Sequence, residues 1–431
     1  MSFAGLAQAA RIASRIGHLA TFTYGQPGDG VTRPGYTQRE REAHHWFADE
    51  LSALGFAVRC DAAGNTIAEL HGTDPDLPAI GTGSHLDSVP HGGRFDGIVG
   101  VVGAMEVASI LHALDVRPRH PLRIVAFACE EGARFGLACI GSRIAANLTH
   151  SSDLSTLVDA QGITAAEAFT SVGLDPATVD DARWCPDQWA AFVEMHIEQG
   201  SVLHSSQCQV GVVDVVSGST RLLITVAGET SHSGGTPMHL RHDALLTAAE
   251  IALAGETIAT DSRHHGTRLT VGRITVGPNF ITSIAGSAIL TVDVRDTDAI
   301  RQRATAAEVV RAAQSIARDR GCTASCDLIG DAAPTFLAES VRETITTAAQ
   351  RLGIRSRSIT SGASHDAQMI GRVVPTGMIF VPSLAGGVSH DPKELSDPDE
   401  IAVGADVLTA TLMALDWSHA PSNPAASQRH P

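Results

Sequence analysis

Histidines and carboxylates recur in four glycine-rich segments of this sequence, and several of these segments lie where a predicted strand ends. The segments are GTGSHLDSVPHGGRFDG (residues 81–97), FACEEGARFG (127–136), MHIEQG (195–200) and GGVSHDPKE (386–394). Loops at strand ends often hold binding and catalytic residues, because the rigid sheet positions them. Imidazole and carboxylate groups together suit zinc, manganese, cobalt or nickel. The four segments therefore predict a metal site at one edge of a sheet.

Single residues of these segments also have simpler explanations, and only their combination favours metal. A lone histidine is usually a surface group or a hydrogen-bonded core group, and either Glu130 or Glu131 could cap the turn after its strand. Two adjacent carboxylates are costly, however, unless a cation compensates their charge. His85 is followed two residues later by Asp87, and a nearby carboxylate can hold one ring nitrogen while the other binds metal. Asp96 lies in a glycine-bounded turn before a predicted helix, and a carboxylate is capable of bridging.

The elements around these segments predict an α/β sheet. Buried strands that alternate with helices are typical of a sheet covered on both faces. The predicted elements are strands at 65–70, 79–84, 122–129 and 377–381, and helices at 38–54, 97–114, 338–351 and 398–416.

The middle of the chain has a different order, β-α-β-β-α-β. Its predicted elements are a strand at 221–227, a helix at 243–262, strands at 267–276 and 288–295, a helix at 299–320 and a strand at 322–329. This stretch of about 110 residues resembles a ferredoxin-like unit. We therefore expect a small domain at 218–331, inserted into a discontinuous catalytic domain of residues 1–217 and 332–420. The Pro-, Ser- and Ala-rich residues 421–431 are expected to form a disordered tail.

Composition excludes several classes of partner. The chain has 431 residues, 43% hydrophobic and 18% charged, with a formal net charge of −16. Nucleic acids and anionic membranes both need a basic face, so neither is an expected partner. A membrane span needs about 18 consecutive apolar residues, and the sequence has no such run. The seven cysteines are scattered and odd in number, which argues against a disulfide framework and favours a cytoplasmic location.

Eight sequence blocks together resemble one family. The sequence is similar to the amidase/hydantoinase/carbamoylase branch of the binuclear zinc aminopeptidase-like amidohydrolases, which includes N-carbamoyl-L-amino acid hydrolases, allantoate amidohydrolases and β-ureidopropionases. The resemblance spans residues 5–417. The blocks are GSHLDSVPHGGRFDG, CEEGARFG, MHIEQG, SHSGGTPMHLRHDA, GPNFITSIAG, VDVRD, SGASHDA and GGVSHDPKE. The resemblance implies a zinc aminopeptidase-like catalytic domain with an inserted ferredoxin-like lid that mediates a homodimer.

The resemblance also implies two divalent ions per subunit, zinc or else manganese, cobalt or nickel. Asp96 is expected to bridge them. His85 and His390 are expected to complete the more open site, and Glu131 and His196 to hold the other ion. Two such ions acidify a water molecule and polarise the scissile carbonyl.

Glu130 is the implied general base, which takes a proton from water and passes it to the leaving nitrogen. Asp87 is expected to support His85. Cys129 precedes the glutamate pair, but alternation along the strand predicts that its side chain points away from Glu130. The implied mechanism needs no thiol nucleophile.

Recognition of the substrate is expected to fall mainly to the inserted domain. His232 resembles the family's oxyanion-stabilising histidine and is expected to reach the active site of a partner subunit. Arg295 resembles the arginine that binds the substrate carboxylate, a task suited to a planar guanidinium. Asn279 and Gln199 match positions that hydrogen-bond the substrate, and His365 is expected to line the pocket. The alternative for Arg295 is a surface ion pair with a neighbouring aspartate.

The sequence departs from the family's usual motifs at three places. Ser364 replaces a glycine in SGASHDA, Asp391 replaces a serine after the last motif histidine, and Ser-Val-Leu-His at 201–204 replaces Pro-Val-Leu-Glu. These changes leave the expected metal ligands intact but alter the expected substrate pocket.

The predicted reaction is hydrolysis of an N-carbamoyl-L-amino acid to the amino acid, ammonia and carbon dioxide. The main alternative is allantoate or another ureido acid. Less favoured are an N-acyl amino acid hydrolase, a dipeptidase and a binding protein that has lost catalysis. The retained Glu130 argues against the last of these.

Overall fold

The computed structural model describes residues 3–418. The chain divides into two compact units, Met1–Asp214 with Phe336–Pro431, and Val215–Thr335. The second unit is a few residues longer at each end than the predicted inserted domain of 218–331. The tail predicted at 421–431 lies outside the described residues.

The helices of the described chain are α1 (Ala9–Leu19), α2 (Gln38–Ala53), α3 (Ile98–Ala113), α4 (Ile140–Ala145), α5 (Ser151–Leu154), α6 (Ala165–Ser171), α7 (Val202–Ser205), α8 (Ala244–Thr260), α9 (Ala299–Asp319), α10 (Glu339–Arg351), α11 (Asp366–Ile370) and α12 (Pro398–Ser418). None of these helices within residues 3–418 combines the length and apolar character needed to cross a membrane.

The strands are β1 (Ala57–Cys60), β2 (Thr66–Leu70), β3 (Ala79–His85), β4 (Leu122–Phe127), β5 (Trp189–Ile197), β6 (Val210–Val216), β7 (Gly218–Ala227), β8 (Ser231–His232), β9 (Arg268–Gly277), β10 (Ser283–Ile284), β11 (Ser287–Asp296), β12 (Thr323–Ala332), β13 (Thr335–Phe336), β14 (Ser356–Ser361) and β15 (Thr376–Val381).

The first unit is built on a mixed nine-stranded sheet with the order β1-β2-β4-β3-β5-β15-β6-β13, in which β14 also pairs with β6. The four central strands β4, β3, β5 and β15 are parallel. Every residue of β3 and β15 is buried. Strands buried on both faces have nearly continuous apolar sequences, which explains the runs seen in the sequence. The predicted α/β class is confirmed.

Helix α3 connects β3 to β4 and is apolar on nearly all sides. Fourteen of its 16 residues are buried, because it packs against β3 and β5 on one side and against α1 and α12 on the other. A helix buried on all sides does not need a polar face. Its first residue directly follows the Asp96-Gly97 turn, so the rigid helix anchors that turn at the edge of the sheet.

The second unit has the β-α-β-β-α-β order, formed by β7, α8, β9, β11, α9 and β12. Its four-stranded sheet has the order β12-β7-β11-β9 and is antiparallel throughout. Buried and partly exposed residues alternate along β7 and β11, because one face of this sheet packs against α8 and α9. A two-stranded ribbon of β8 and β10 precedes β11 and was not predicted from the sequence.

Candidate metal centre

The ends of three neighbouring parallel strands bring the predicted ligands together. His85 is the last residue of β3, Glu130 and Glu131 follow shortly after β4, and His196 is the penultimate residue of β5. The carboxyl ends of parallel strands meet at one edge of the sheet, which is where α/β proteins bind ligands. A loop after β15 brings His390 to the same edge, with φ 58°.

Asp96 lies at the centre of this edge, and its two carboxylate oxygens face different groups. His196 Nε2 is 3.1 Å from Oδ1, and His85 Nε2 is 3.7 Å from the same oxygen. His390 Nε2 is 3.3 Å from Oδ2 and 3.5 Å from Glu131 Oε1. The described chain thus offers two triads that share Asp96: one with His85 and His196, the other with Glu131 and His390.

This grouping differs from the pairing that the motifs implied. The motifs implied that His85 pairs with His390 and Glu131 with His196, whereas the structure groups His85 with His196 and Glu131 with His390. The physical reason is strand order: β3 and β5 are hydrogen-bonded neighbours, so their last histidines lie side by side. Proximity in the sheet cannot be derived from motif order along the chain.

The spacing of the donor atoms fits divalent cations. Donor atoms that share a tetrahedral ion at about 2.0–2.2 Å lie about 3.3–3.6 Å apart. The separations of 3.1–3.7 Å around Asp96 bracket that value. Each triad supplies three protein donors, as in catalytic zinc sites that keep one position for water or substrate.

The electrostatics of the cluster also favour bound cations. Burial, together with the charge of Asp96, raises the pKa of Glu131 to about 8. Burial raises the pKa of Asp96 as well, but the three histidines that face its carboxylate outweigh burial and leave that pKa well below its ordinary value. The hydrogen bond with Asp96 raises the pKa of His390 to about 9. Carboxylates concentrated in this buried space need opposite charge, which divalent ions would supply.

Hydrogen bonds to the far ring nitrogens orient two of the histidines. His196 Nδ1 lies 2.9 Å from the Ile197 carbonyl, so that nitrogen carries the proton and Nε2 faces Asp96. His85 Nδ1 lies 3.3 Å from the backbone carbonyl oxygen of Asp87 and also 3.3 Å from Asp87 Oδ1. Gly97, with φ 69°, leaves room for this ring, because a Cβ at that position would lie 2.4 Å from the His85 Cε1 atom.

Glu130 lies beside the triads without belonging to either of them. Its Oε2 is 3.9 Å from His85 Nε2, and its Oε1 accepts a hydrogen bond from the Cys139 thiol at 2.9 Å. Burial, partly offset by His85 and reinforced by Glu131, raises the pKa of Glu130 well above its ordinary value. A carboxyl group with a raised pKa is suited to proton transfer near neutral pH.

Cys129 points away from the centre, as predicted, but for a different reason. Strand β4 already ends at Phe127, so alternation along a strand does not apply. Cys129 instead has φ 54° and packs its thiol in a buried apolar cluster beside Tyr36.

Two residues at this edge were not identified from the sequence. Glu394 Oε1 accepts the N–H groups of Phe95 and Asp96 at 2.8 and 3.1 Å. Ser389 donates to Glu394 Oε2 at 2.7 Å and lies 2.9 Å from Asp96 Oδ2. The only available signal was that both residues belong to the GGVSHDPKE block.

Two residues predicted to contact substrate lie in the first unit. Gln199, with φ 54°, places its Nε2 2.6 Å from Asp96 Oδ2 and 3.2 Å from Ser389 Oγ. His365 is buried, with Nε2 2.8 Å from Ser361 Oγ and its ring edge-on to that of His196. His365 therefore packs behind a predicted metal ligand.

The other predicted recognition residues lie in the second unit. His232 is exposed in β8, and its Nδ1 accepts the N–H groups of Gly234 and Gly235, both at 3.1 Å. Its Nε2 therefore carries the proton and is a donor. Asn279 is exposed with φ 58°. Arg295 Nε lies 3.0 Å from Asp293 Oδ2, which is the ion pair weighed as the alternative to a substrate contact.

Comparisons with known proteins agree on one relationship. A model of Peptidase family M20/M25/M40 matches residues 81–414. The N-carbamoyl-L-amino-acid amidohydrolase of Paenarthrobacter aurescens is 38% identical over 410 residues, covering 95% of this chain and 98% of the relative. The ureidoglycolate hydrolase of Arabidopsis thaliana is 35% identical over 408 residues, covering 93% and 85%. The crystal structure of an amidase of the hydantoinase/carbamoylase family from Burkholderia vietnamiensis has a TM-score of 0.88 at 32% identity, covering 96% and 98%.

Proposed function

The chain belongs to Peptidase family M20/M25/M40, and on that premise we propose that this amidohydrolase cleaves the carbamoyl C–N bond of N-carbamoyl-L-amino acids. The products are the L-amino acid, ammonia and carbon dioxide. Membership of the hydantoinase/carbamoylase branch, predicted from the sequence blocks, is confirmed by the relatives.

The observation that carries this proposal is the division of Asp96 between two triads. Each carboxylate oxygen faces its own set of donors, which supports two divalent ions per subunit with Asp96 as the bridge. The mixed imidazole and carboxylate donors suit zinc, manganese, cobalt or nickel. When bound, such ions polarise the scissile carbonyl and lower the pKa of a water molecule.

Glu130 performs proton transfer in this proposal. Its carboxylate lies next to His85 but outside both triads, so it can take a proton from the attacking water. The same group then donates that proton to the leaving nitrogen. The Cys139 thiol fixes one of its oxygens, which leaves the other directed toward the centre. Positioned proton transfer of this kind accelerates hydrolysis by about 10²–10⁴-fold.

His232, Arg295 and Asn279 bind the substrate in this proposal. The exposed Nε2–H of His232 is suited to donate to the oxyanion that forms at the attacked carbonyl. Arg295 would exchange part of its pairing with Asp293 for the substrate carboxylate, with Asn279 as a further hydrogen-bonding group. Gln199 is placed next to Asp96 and can contact the ureido group.

We further propose that two chains pair through the inserted domain and that each His232 serves the partner's site. Several large apolar side chains of the second unit are exposed, among them Leu253, Phe280 and Ile281. In the proposed two-fold dimer the second chain covers such side chains, and it would bury them identically on both chains. All seven cysteines are unpaired, which supports a cytoplasmic location.

A ureido acid such as ureidoglycolate or allantoate is the second candidate substrate. The Arabidopsis relative named for ureidoglycolate has nearly the same identity to this chain as the carbamoylase. Both substrate classes place a ureido carbonyl near a carboxylate, so the same metal centre and Arg295 serve either one.

A substrate panel tests the proposal, with ammonia release measured for the carbamoyl and ureido compounds and released amino acid measured for the dipeptides. We expect turnover of N-carbamoyl-L-amino acids that requires divalent ion and exceeds that of allantoate, ureidoglycolate and dipeptides. Carboxamide-blocked versions of the preferred substrate should react poorly, because Arg295 then has no carboxylate to bind. Faster turnover of a ureido acid would select the second candidate, and activity confined to dipeptides would refute both.

A further inference from the structure

Four successive backbone N–H groups at the glutamate pair are each bound by a buried side chain. Strand β4 is already finished at this point, so none of these N–H groups belongs to the sheet. Three side chains from three separate parts of the chain accept them. The acceptors are Asn65 Oδ1 for Ala128 (3.0 Å), Glu40 Oε1 for Cys129 (2.8 Å), Asp87 Oδ1 for Glu130 (2.9 Å) and Asp87 Oδ2 for Glu131 (3.0 Å).

Glu40 is unusual among these acceptors because it binds two strained residues at once. Its Oε1 accepts the N–H of Cys129, and its Oε2 accepts the N–H of Tyr36 at 2.6 Å. Tyr36 and Cys129 have φ values of 51° and 54°. Left-handed backbone is costly for residues with a Cβ and persists only where surrounding contacts hold it. Glu40 is completely buried, so it forms those contacts out of reach of water.

The left-handed turn at Cys129 lets both glutamates reach the same edge of the sheet. In an extended strand, adjacent side chains point to opposite faces. Here Glu130 lies 3.9 Å from His85 Nε2, while Glu131 lies 3.5 Å from His390 Nε2. The backbone direction at Cys129 thus determines where both carboxylates are placed.

The loop that contains Tyr36 lies directly against this turn. A Cβ at Gly35 would lie 2.3 Å from the Cys129 thiol sulfur, so the two segments can approach this closely only because residue 35 is glycine. Arg134, three residues after Glu131, donates to the carbonyls of Gly35 and Tyr36 at 2.6 and 2.8 Å. The loop that contains Tyr36 is therefore held at two points. Glu40 joins it to Cys129, just before the glutamate pair, and Arg134 binds it from a position just after the pair.

We propose that Glu40 is a positioning residue for catalysis: through the N–H groups of Cys129 and Tyr36 it holds the turn that places Glu130 and Glu131. The catalytic part of this proposal rests on the proposed function. A carboxylate is required because both oxygens must accept, and an amide offers only one acceptor oxygen. Thr37 and Glu40 match the Thr-x-x-Glu signature of a helix capping box. In the structure Glu40 instead bonds Tyr36 and Cys129.

Hydrogen exchange of the metal-free protein tests the positioning directly. In Glu40→Gln, one of the two N–H groups loses its acceptor. We expect exchange to accelerate by about 10- to 100-fold in the peptide that contains the N–H left without an acceptor, which is 126–133 for Cys129 or 35–39 for Tyr36. The matched control is Glu106→Gln, which alters a completely buried glutamate of the same unit that binds Arg11, Arg15 and the Gln8 N–H. This control should lower stability without changing exchange in either peptide.

Kinetics of the metal-loaded enzyme tests the consequence. Glu40→Gln should lower kcat by about 10-fold or more while KM changes by less than about threefold, because a displaced base affects the reaction more than substrate binding. Glu106→Gln should leave both constants near wild type. If Glu40 were merely structural, Glu40→Gln would lower stability, as Glu106→Gln is expected to do, and neither variant would change kcat.

The two measurements have separate outcomes. Unchanged exchange in a folded Glu40→Gln protein overturns the proposal, as does accelerated exchange with a wild-type kcat. If no ureido compound is turned over by the wild type, the proposed function fails while the exchange result still decides the structural part. If Glu40→Gln does not fold, Glu40→Asp replaces it. That variant keeps both oxygens on a shorter side chain, and an unchanged exchange rate there refutes the role.

Discussion

At the carboxyl edge of the first unit's sheet, His85, Asp96 and His196 are each less than a tenth exposed, whereas His232 and Asn279 of the second unit are exposed. The buried group lies on strand ends and next to an apolar helix, and hydrogen bonds fix its histidine rings. The exposed group lies on a short ribbon and on loops. Metal binding needs donors placed to within a fraction of an ångström, while recognition residues can complete their contacts when substrate or a second chain arrives.

The largest effect is expected when the Asp96 carboxylate, at the centre of the buried group, is removed. Asp96→Ala should lose both ions, because each triad uses one oxygen of the same carboxylate. Elemental analysis should show about two divalent ions per wild-type subunit and close to none in the variant, with activity lost. The exposed Asp187→Ala is the control and should keep both ions. One ion retained in Asp96→Ala would show that the triads do not depend on a shared bridge.

The next largest effect is expected at Glu130 and Glu131, whose substitution should affect different properties, kcat and metal content. Glu130→Gln should keep both ions and nearly unchanged substrate affinity while kcat falls by about 10²–10⁴-fold. Glu131→Gln should lose one ion, because Glu131 belongs to the triad with His390. Metal content and kcat measured on both variants check this assignment. Loss of an ion in Glu130→Gln, with both ions kept in Glu131→Gln, would mean that Glu131 is the base and Glu130 the ligand.

A subunit-mixing experiment asks whether the exposed group acts across an interface. Glu130→Gln and His232→Ala chains are each expected to be inactive. After exchange, about half of the dimers are mixed, and each should contain one site with intact Glu130 and the partner's His232. About a quarter of wild-type activity should therefore return. No recovery, with exchange verified by mass spectrometry, would restrict His232 to its own subunit or exclude it from catalysis.

The smallest effect concerns a support of the buried group. Asp61 binds the Asn65 side chain, and Asn65 in turn accepts the Ala128 N–H. Burial raises the pKa of Asp61 from 3.8 to about 6. Between these values the folded state binds more protons than the unfolded state, so stability falls as pH rises and levels off above about 6.

This support is tested by urea unfolding of metal-free wild type and Asp61→Asn at pH 5 and pH 7. The asparagine cannot titrate, so the wild type should lose about 1 kcal/mol more than the variant between the two pH values. Parallel pH dependence in the two proteins would place the Asp61 pKa near its ordinary value.

The strongly patterned elements were predicted closely from the sequence. The helix expected at 97–114 is Ile98–Ala113, and the strand expected at 79–84 is Ala79–His85. Long apolar runs leave few alternatives, because burial dominates their free energy. The strand expected at 122–129 instead ends at Phe127. Its last two residues are apolar, but hydrogen bonds to Asn65 and Glu40 draw them out of the sheet. The two-residue strands β8 and β10 are too short to have a pattern.

By itself, the sequence determined the α/β class, the β-α-β-β-α-β order of the inserted stretch, the family and the set of histidines and carboxylates expected to bind metal. These properties follow from residue types and local spacing. Only the tertiary structure decided that His85 shares a triad with His196, and that Glu40, Asn65 and Glu394 hold the backbone around the centre. The contacts of those three residues join positions 89, 63 and 298 residues apart. Nothing local marks such partners, because the free energy that pairs them comes from burying both groups together in the folded sheet edge.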